Sequence, residues 1–296
     1  MRKRLVVVLT VCCALGVHGQ TLDIAGAVEW ETMEIAASVA LNLASAGIRL
    51  PTGRAQAEEL VDTEYPRLIR PSLLSIPVDS SSFLQDLIDR GEFSLQSTGA
   101  IAQGARRVPP ALSADLSSLT ASYTIDLTLL SAALVRHSRP VEPARPLRPL
   151  PTAAYTGIII LAAEALPIQG RNAAALAQPC LFPKVWDADM NLIYERNMMD
   201  TDIARRSAMI RYVSSSSVFR PTPSGLSPEL AALVGNNPLR IIARGVYGIR
   251  PTDPIIDRED ALLILSSEEN LRLLREGRVA IMLDKSVLSN QIAGSN

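Results

Sequence analysis

The sequence is poor in the side chains on which most enzyme and metal chemistry depends. It holds two histidines, His18 and His137, and three cysteines, Cys12, Cys13 and Cys180. His18, Cys12 and Cys13 all fall within a segment that has the layout of a removable leader. With one cysteine left, no internal disulfide can close. One cysteine and one histidine are too few for a Cys/His zinc site within one chain. A serine nucleophile would have only His137 as its base, and His137 opens a proline-rich stretch where it is expected exposed and not catalytic. Cys180 reads as a small core residue. Aromatic residues make up 4% of the chain, so no stacking platform for bases or sugars is visible. Trp30 and Trp186 are expected in the core or on a sheet surface. The sequence contains no G-x-G-x-x-G, Walker loop or G-x-S-x-G. These absences leave no catalytic residue, no cofactor and no metal site to assign, and the chain is expected not to be an enzyme.

Charge of one sign is also lacking. The formal net charge is −1, and loss of Arg2, Lys3 and Arg4 with the leader makes it more acidic, so there is no nucleic-acid footprint. Beyond the first twenty residues there is no apolar run of membrane length; even "YTGIIILAAEAL" carries Glu164.

What is present begins with "MRKRLVVVLTVCCALGVHGQ". A basic start, an apolar core from Leu5 to Val17 and small residues at its end describe a secretory signal peptide over residues 1–19. Cleavage is expected between Gly19 and Gln20. A lipid anchor on Cys12 or Cys13 is the rival reading, and it fits poorly because Val11, not a small residue, precedes Cys12. The expected location is periplasmic or outer-membrane-associated, with membrane attachment only through a lipid or a partner.

The stretch "HSRPVEPARPLRPLP" holds five prolines within residues 137–151, which favours extended backbone and excludes helix. Residues 137–152 are therefore read as a linker between a first α+β module, 20–136, and a second, mixed α/β module, 153–296. In the first, extended segments are expected over Ala27–Glu31 and Glu34–Leu43, the latter with Ile35, Ala37, Val39, Leu41 and Leu43 at period two. A helix follows, with Thr52 as N-cap, Ala55, Leu60, Ile69 and Leu73 on its apolar face, and Pro66 and Pro71 dividing or kinking it. A second helix starts at Ser82 with Gln85 as a capping box and stops at Gly91. A strand then carries Leu119, Ala121, Tyr123, Ile125 and Leu127 on one face. This order gives helices on a mostly antiparallel sheet. In the second module, strands are expected in "YTGIIILAAEAL", "SAMIRYV", "LRIIARGVYG" and "RVAIML". A hairpin turns near Ala188–Asn191. One helix is capped by Ser227 with Pro228 first and Gly235 last. Another is capped by Asp257, and a third has Ser266 with Glu269 as capping box and Gly277 as stop.

Acidic clusters invite a functional reading and resist it. Asp187, Asp189 and Asn191 have calcium-loop spacing, but Leu192 and Met198 stand where an EF-hand needs glycine and a bidentate glutamate; a polar hairpin turn fits better. Asp257, Glu259 and Asp260, and likewise Glu268 and Glu269, sit in first turns of helices, where carboxylates satisfy free amides and the helix dipole.

The segment "TGRAQAEELVDTEYPRLIRPSLLSIPVDSSSFLQDLI" resembles the helix-plus-V-D-S signature of FlgP-type flagellar outer-membrane lipoproteins and the related small lipoproteins of Helicobacter, at Arg54, Ala55, Ala57, Val78, Asp79, Ser80 and Asp86. The second half is similar to longer exported relatives, at Tyr155–Ile160, Pro183–Tyr194, "RPTDPIIDREDA" and "LLREGRVAIML". The resemblance implies a dodecin-like unit in the first module and a non-enzymatic role in the envelope or around the flagellar motor. It implies other envelope or flagellar proteins as partners, homo-oligomer formation, and a periplasmic relative of spirochaete type. The expected function is thus a structural or assembly component acting by protein–protein contact, with the helix faces around Arg272 and Arg275 as the partner surface. The alternative is a secreted or surface-exposed binding module, an adhesin or a ligand carrier.

Overall fold

The structure, a computed structural model, describes residues 22–220, 222 and 225–292. The leader, the Gly19–Gln20 bond, Cys12 and Cys13 lie outside the described residues.

The chain opens with β1 (Leu22–Glu29), β2 (Glu34–Asn42), α1 (Arg54–Leu74), α2 (Leu84–Asp89), α3 (Leu95–Gln103), β3 (Arg106–Leu112), β4 (Ser118–Asp126) and α4 (Leu127–Leu134). The strands lie in the order β1-β2-β4-β3, all antiparallel. Period-two alternation aligns one apolar face: Ile35 sits opposite Ile125, Ala37 opposite Tyr123, Val39 opposite Ala121 and Leu41 opposite Leu119, all buried. The expected first strand begins too late. Leu22 and Ile24 already face the core, paired with Leu41 and Val39. Within β1 only glycine fits at position 26, because a Cβ there would lie 2.1 Å from the carbonyl oxygen of Ala36.

Pro66 and Pro71 do not divide α1, which runs unbroken over both. Each proline removes one backbone donor, but the helix buries Ala57, Val61, Tyr65, Leu68, Ile69, Ser72 and Leu73 along one stripe, and that burial outweighs the loss. The stripe is rotated from the expected one: Ala55 is exposed, and Gly53, not Thr52, precedes the first turn. The cap of α2 also differs. Phe83 is the N-cap and its amide donates to the carboxylate of Asp86 at 2.7 Å, while Ser82 donates its amide to Asp79. The strand expected to reach Leu127 ends at Asp126, whose carboxylate accepts the Thr128 amide and starts α4. Neither α3 nor β3 was foreseen. β3 contains Pro109 and Pro110, tolerated because it is an edge strand with a register shift between Val108 and Ala111.

The second half contains β5 (Ile158–Leu161), β6 (Ala165–Pro167), β7 (Ala174–Leu176), β8 (Val185–Asp187), β9 (Leu192–Tyr194), α5 (Thr201–Ala204), β10 (Arg211–Val213), α6 (Ser215–Val218), α7 (Pro228–Val234), β11 (Leu239–Ile242), β12 (Gly245–Tyr247), β13 (Asp253–Ile256), α8 (Arg258–Leu265), α9 (Glu268–Arg275), β14 (Val279–Met282) and β15 (Ser289–Gln291). Four strands form a parallel sheet, β10-β14-β5-β11, and four form a mixed one, β12-β13-β8-β9. The parallel sheet is covered on both faces: Ile158 and Ile160 enter the main core, while Ile159 packs with Val213, Leu230, Val234 and Met282. "LRIIARGVYG" is two strands, because the chain leaves the parallel sheet after Ile242 and enters the mixed one at Gly245. β13 was missed because Pro254 argues against a strand; it is tolerated where β13 pairs only with β12, since the β8 pairing starts at Ile255.

The two halves are not separated by a free linker. One apolar cluster runs through both. β15 returns from the C-terminal side and pairs with β1, Ala27 opposite Gln291, so the end of the segment assigned to the second module completes the first sheet. The proline-rich stretch is a strap on the second half: Val141 donates its amide to the Asn197 carbonyl and Leu150 donates to Ser266 Oγ.

Candidate functional site

Asp187 is buried and its carboxylate accepts the amides of Asp189 and Asn191 and the Asn191 side chain. Met190, with φ 61°, turns the hairpin between them. Asp257 stands at the N-cap of α8, yet its side chain caps nothing and instead accepts Arg244 Nε at 2.7 Å. Asp260 has its pKa raised by burial and by Asp257. The N-cap of α9 is Ser267, one residue later than expected, since Ser266 ends α8 and holds the strap. Ser267 also donates to Glu269.

The two arginines of the expected partner surface have different surroundings. Arg275 pairs with Glu268 and reaches Glu142 on the strap, and Arg145 of the strap bonds both glutamates. Those arginine hydrogen bonds hold the Glu268 carboxyl below its usual range. Arg275 therefore fastens the strap to α9. Arg272 is 62% exposed and makes one loose contact with Glu276 at 3.4 Å.

His137 is half-buried, not exposed, with Nε2 donating to the Met199 carbonyl at 2.9 Å. Packing against Met199 and Thr201 accounts for this. Cys180 is fully buried, as a core residue would be. Burial, and then the charge of Asp253, raises its thiol pKa, which favours the less reactive protonated thiol. Trp30 is buried and meets Tyr212 edge-on.

Two arrangements were not visible in the sequence. The first is a clasp between the halves. The turn Pro77–Ser82 accepts the amides of Leu181 and Phe182 on the Pro77 and Val78 carbonyls. It accepts the Arg250 amide on Ser80 and the Arg250 side chain on Asp79. The Arg250 guanidinium lies 3.9 Å from the centre of the Phe83 ring. Gly248 passes so close that a Cβ would lie 2.4 Å from that of Ser80. Val78, Asp79 and Ser80 are thus structural: they dock one module on the other. Behind them Asp253 is fully buried, its Oδ1 accepting Thr252 Oγ1 and the Lys184 amide while Oδ2 has no hydrogen-bond partner among the described residues. Burial raises its pKa.

The second arrangement is a cavity of about 230 Å³ between α1, the end of α3 and the β3–β4 edge. Tyr65 of α1 and Tyr123 of β4 stack there, ring centres 3.8 Å apart and planes 11° from parallel. Tyr123 donates to Asp62 at 2.6 Å, and the Arg107 guanidinium forms an ion pair with the same oxygen at 2.9 Å. Tyr65 is buried, and its hydroxyl has no hydrogen-bond partner among the described residues. Burial raises the pKa of both phenols, that of Tyr123 further through Asp62. Tyr123 is the core residue its strand pattern predicts; Tyr65 and Arg107 give no signal, because residues of a helix and an edge strand far apart in the chain meet only through the fold.

No curated protein matches the chain. Residues 21–133 match the N-terminal domain of Treponema pallidum Tp0624, and residues 157–285 match the second domain of the same protein. The two matches follow in chain order and fall on the two halves seen in the structure. The chain is thus a two-domain protein of the spirochaete family that these Tp0624 domains define.

Proposed function

We propose that the protein is a non-enzymatic, exported component of the cell envelope, a structural or assembly piece that works by protein–protein contact. The leader-like N-terminus supports export. The carboxylates that resemble acid–base pairs are occupied with turns, ion pairs and the strap, which leaves little to run a reaction. The FlgP-type resemblance favours a place at the flagellar motor.

One observation carries the contact reading. β15 covers β1 only from Ala27 to Glu29. Among the described residues, no strand pairs with the outer edge of β1 over Leu22–Ala25. An open strand edge is a template for a further strand from another chain. Cross-linking in cells followed by isolation from envelope fractions tests this. Recovery with an envelope partner, or as a homo-oligomer, is expected; recovery alone and monomeric contradicts it. A ligand-carrying module is the second reading, favoured by the cavity at Tyr65.

A further inference from the structure

We propose that the proline-rich strap is a docking rail, whose exposed apolar stripe seats in an apolar, acid-rimmed groove of a second protein. The inference rests on the protein-contact reading and names the surface that makes the contact.

Prolines recur at Pro140, Pro143, Pro146 and Pro149, every third residue. A polyproline II helix has about three residues per turn, so every third position shares a face. Burial follows the same period. From Ser138 to Pro151 only Pro140, Pro143 and Pro146 are half-buried; every other residue is exposed. The proline face therefore lies on the body, with Pro143 lining the same groove as Met198, Leu271 and Leu274. A second face holds Arg139, Glu142, Arg145 and Arg148. α9 takes the middle two through Arg275 and Glu268, whereas Arg139 and Arg148 make no ion pair among the described residues.

The third face is apolar and turned to solvent. It carries Val141, Ala144, Leu147 and Leu150. Val141 is 53% exposed, Leu150 40%, and Leu147 is as open as in an extended peptide, at 103%. At about 3.1 Å per residue the stripe is about 28 Å long. The strap is pinned near both ends, by the Val141 amide on the Asn197 carbonyl and the Leu150 amide on Ser266 Oγ. Prolines fix φ between the pins. A partner thus meets a rail that is already ordered, with little conformational entropy left to lose. A narrow, extended apolar stripe fits a groove rather than a flat surface. The two unpaired arginines beside it call for carboxylates on the rim of that groove. An anionic bilayer is the poorer match, because lipid-binding clusters hold about four to eight basic residues.

A photo-cross-linking amino acid in place of Ala144, in the full chain in its native cells, tests the rail. The same probe in place of the exposed Arg70 on α1 is the reference. One adduct with a second protein is expected from position 144 and not from position 70, and the cross-linked peptide should carry apolar residues with Asp or Glu. Leu147→Ser and Arg148→Glu should each cut that adduct about tenfold or more, while Arg148→Lys should keep most of it. All three should leave the unfolding midpoint unchanged, since both side chains are exposed. No adduct from position 144, an adduct that survives Leu147→Ser and Arg148→Glu, or one with a second copy of this chain overturns the proposal. So does flotation of the protein with phosphatidylglycerol vesicles that Leu147→Ser abolishes. If general cross-linking still recovers an envelope partner while position 144 gives no adduct, the rail fails and the envelope reading stands; recovery alone and monomeric strikes both.

Discussion

The antiparallel sheet of the first half and the parallel sheet of the second hide apolar surface in opposite ways. In β2 and β4, buried residues alternate with half-exposed Ser38, Ala40, Thr120, Ser122 and Thr124. In β5 and β14 nearly every residue is buried. One sheet has a single packed face; the other is covered on both by helices and loops. The lesson is that a residue on the second face of a strand is worth little in one half of this protein and a great deal in the other.

That difference can be broken directly. Ile159→Ser places a small polar group in the second core cluster. The lost burial, the cavity and an unpaired hydroxyl should together cost about 3–5 kcal/mol, read as a fall in chemical-denaturation midpoint. The clasp comes next. Arg250→Ala removes the hydrogen bond to Asp79 and the contact with Phe83. It should cost about 1–3 kcal/mol and broaden or split thermal unfolding, because the clasp joins the halves.

A smaller effect of opposite sign is expected at Asp253. Burial raises its pKa, so the folded state holds the proton more tightly than the unfolded state. The stability tied to that proton is fully present below the ordinary carboxylate range and is lost as pH rises through the raised folded value. Asp253→Asn keeps an oxygen for Lys184 and Thr252. It should raise the melting temperature at pH 7, with the gain vanishing as pH falls to about 4. The smallest effect belongs to Ser38→Ala on the outer face of the first sheet. It loses one part-buried contact to Ser122 and should cost under about 1 kcal/mol. A cost as large as that of Ile159→Ser would erase the contrast between the sheets.

The same contrast explains what could be read in the sequence. β2 and β4 stand out by alternation, and α7 by Ser227, Pro228 and Gly235, all of which occupy the expected positions. The hairpin at Asp187–Asn191 and the buried Cys180 were likewise legible. Strands of three or four residues carry too little period, so β11 and β12 run together in "LRIIARGVYG", and Pro254 hides β13. β3 was hidden by its prolines, which only an edge strand accepts. Long-range pairings leave no local trace: β15 returning to β1, Arg275 serving the strap, Arg250 reaching Asp79, and Tyr65 stacking on Tyr123. Each joins residues far apart in the chain.

The central claim is that the two halves are fastened into one body by a shared core, a returning strand and the clasp. Differential scanning calorimetry of the protein with both halves present tests it most directly. A single transition whose calorimetric and van't Hoff enthalpies agree is predicted; two resolved transitions, one for each half, would contradict it.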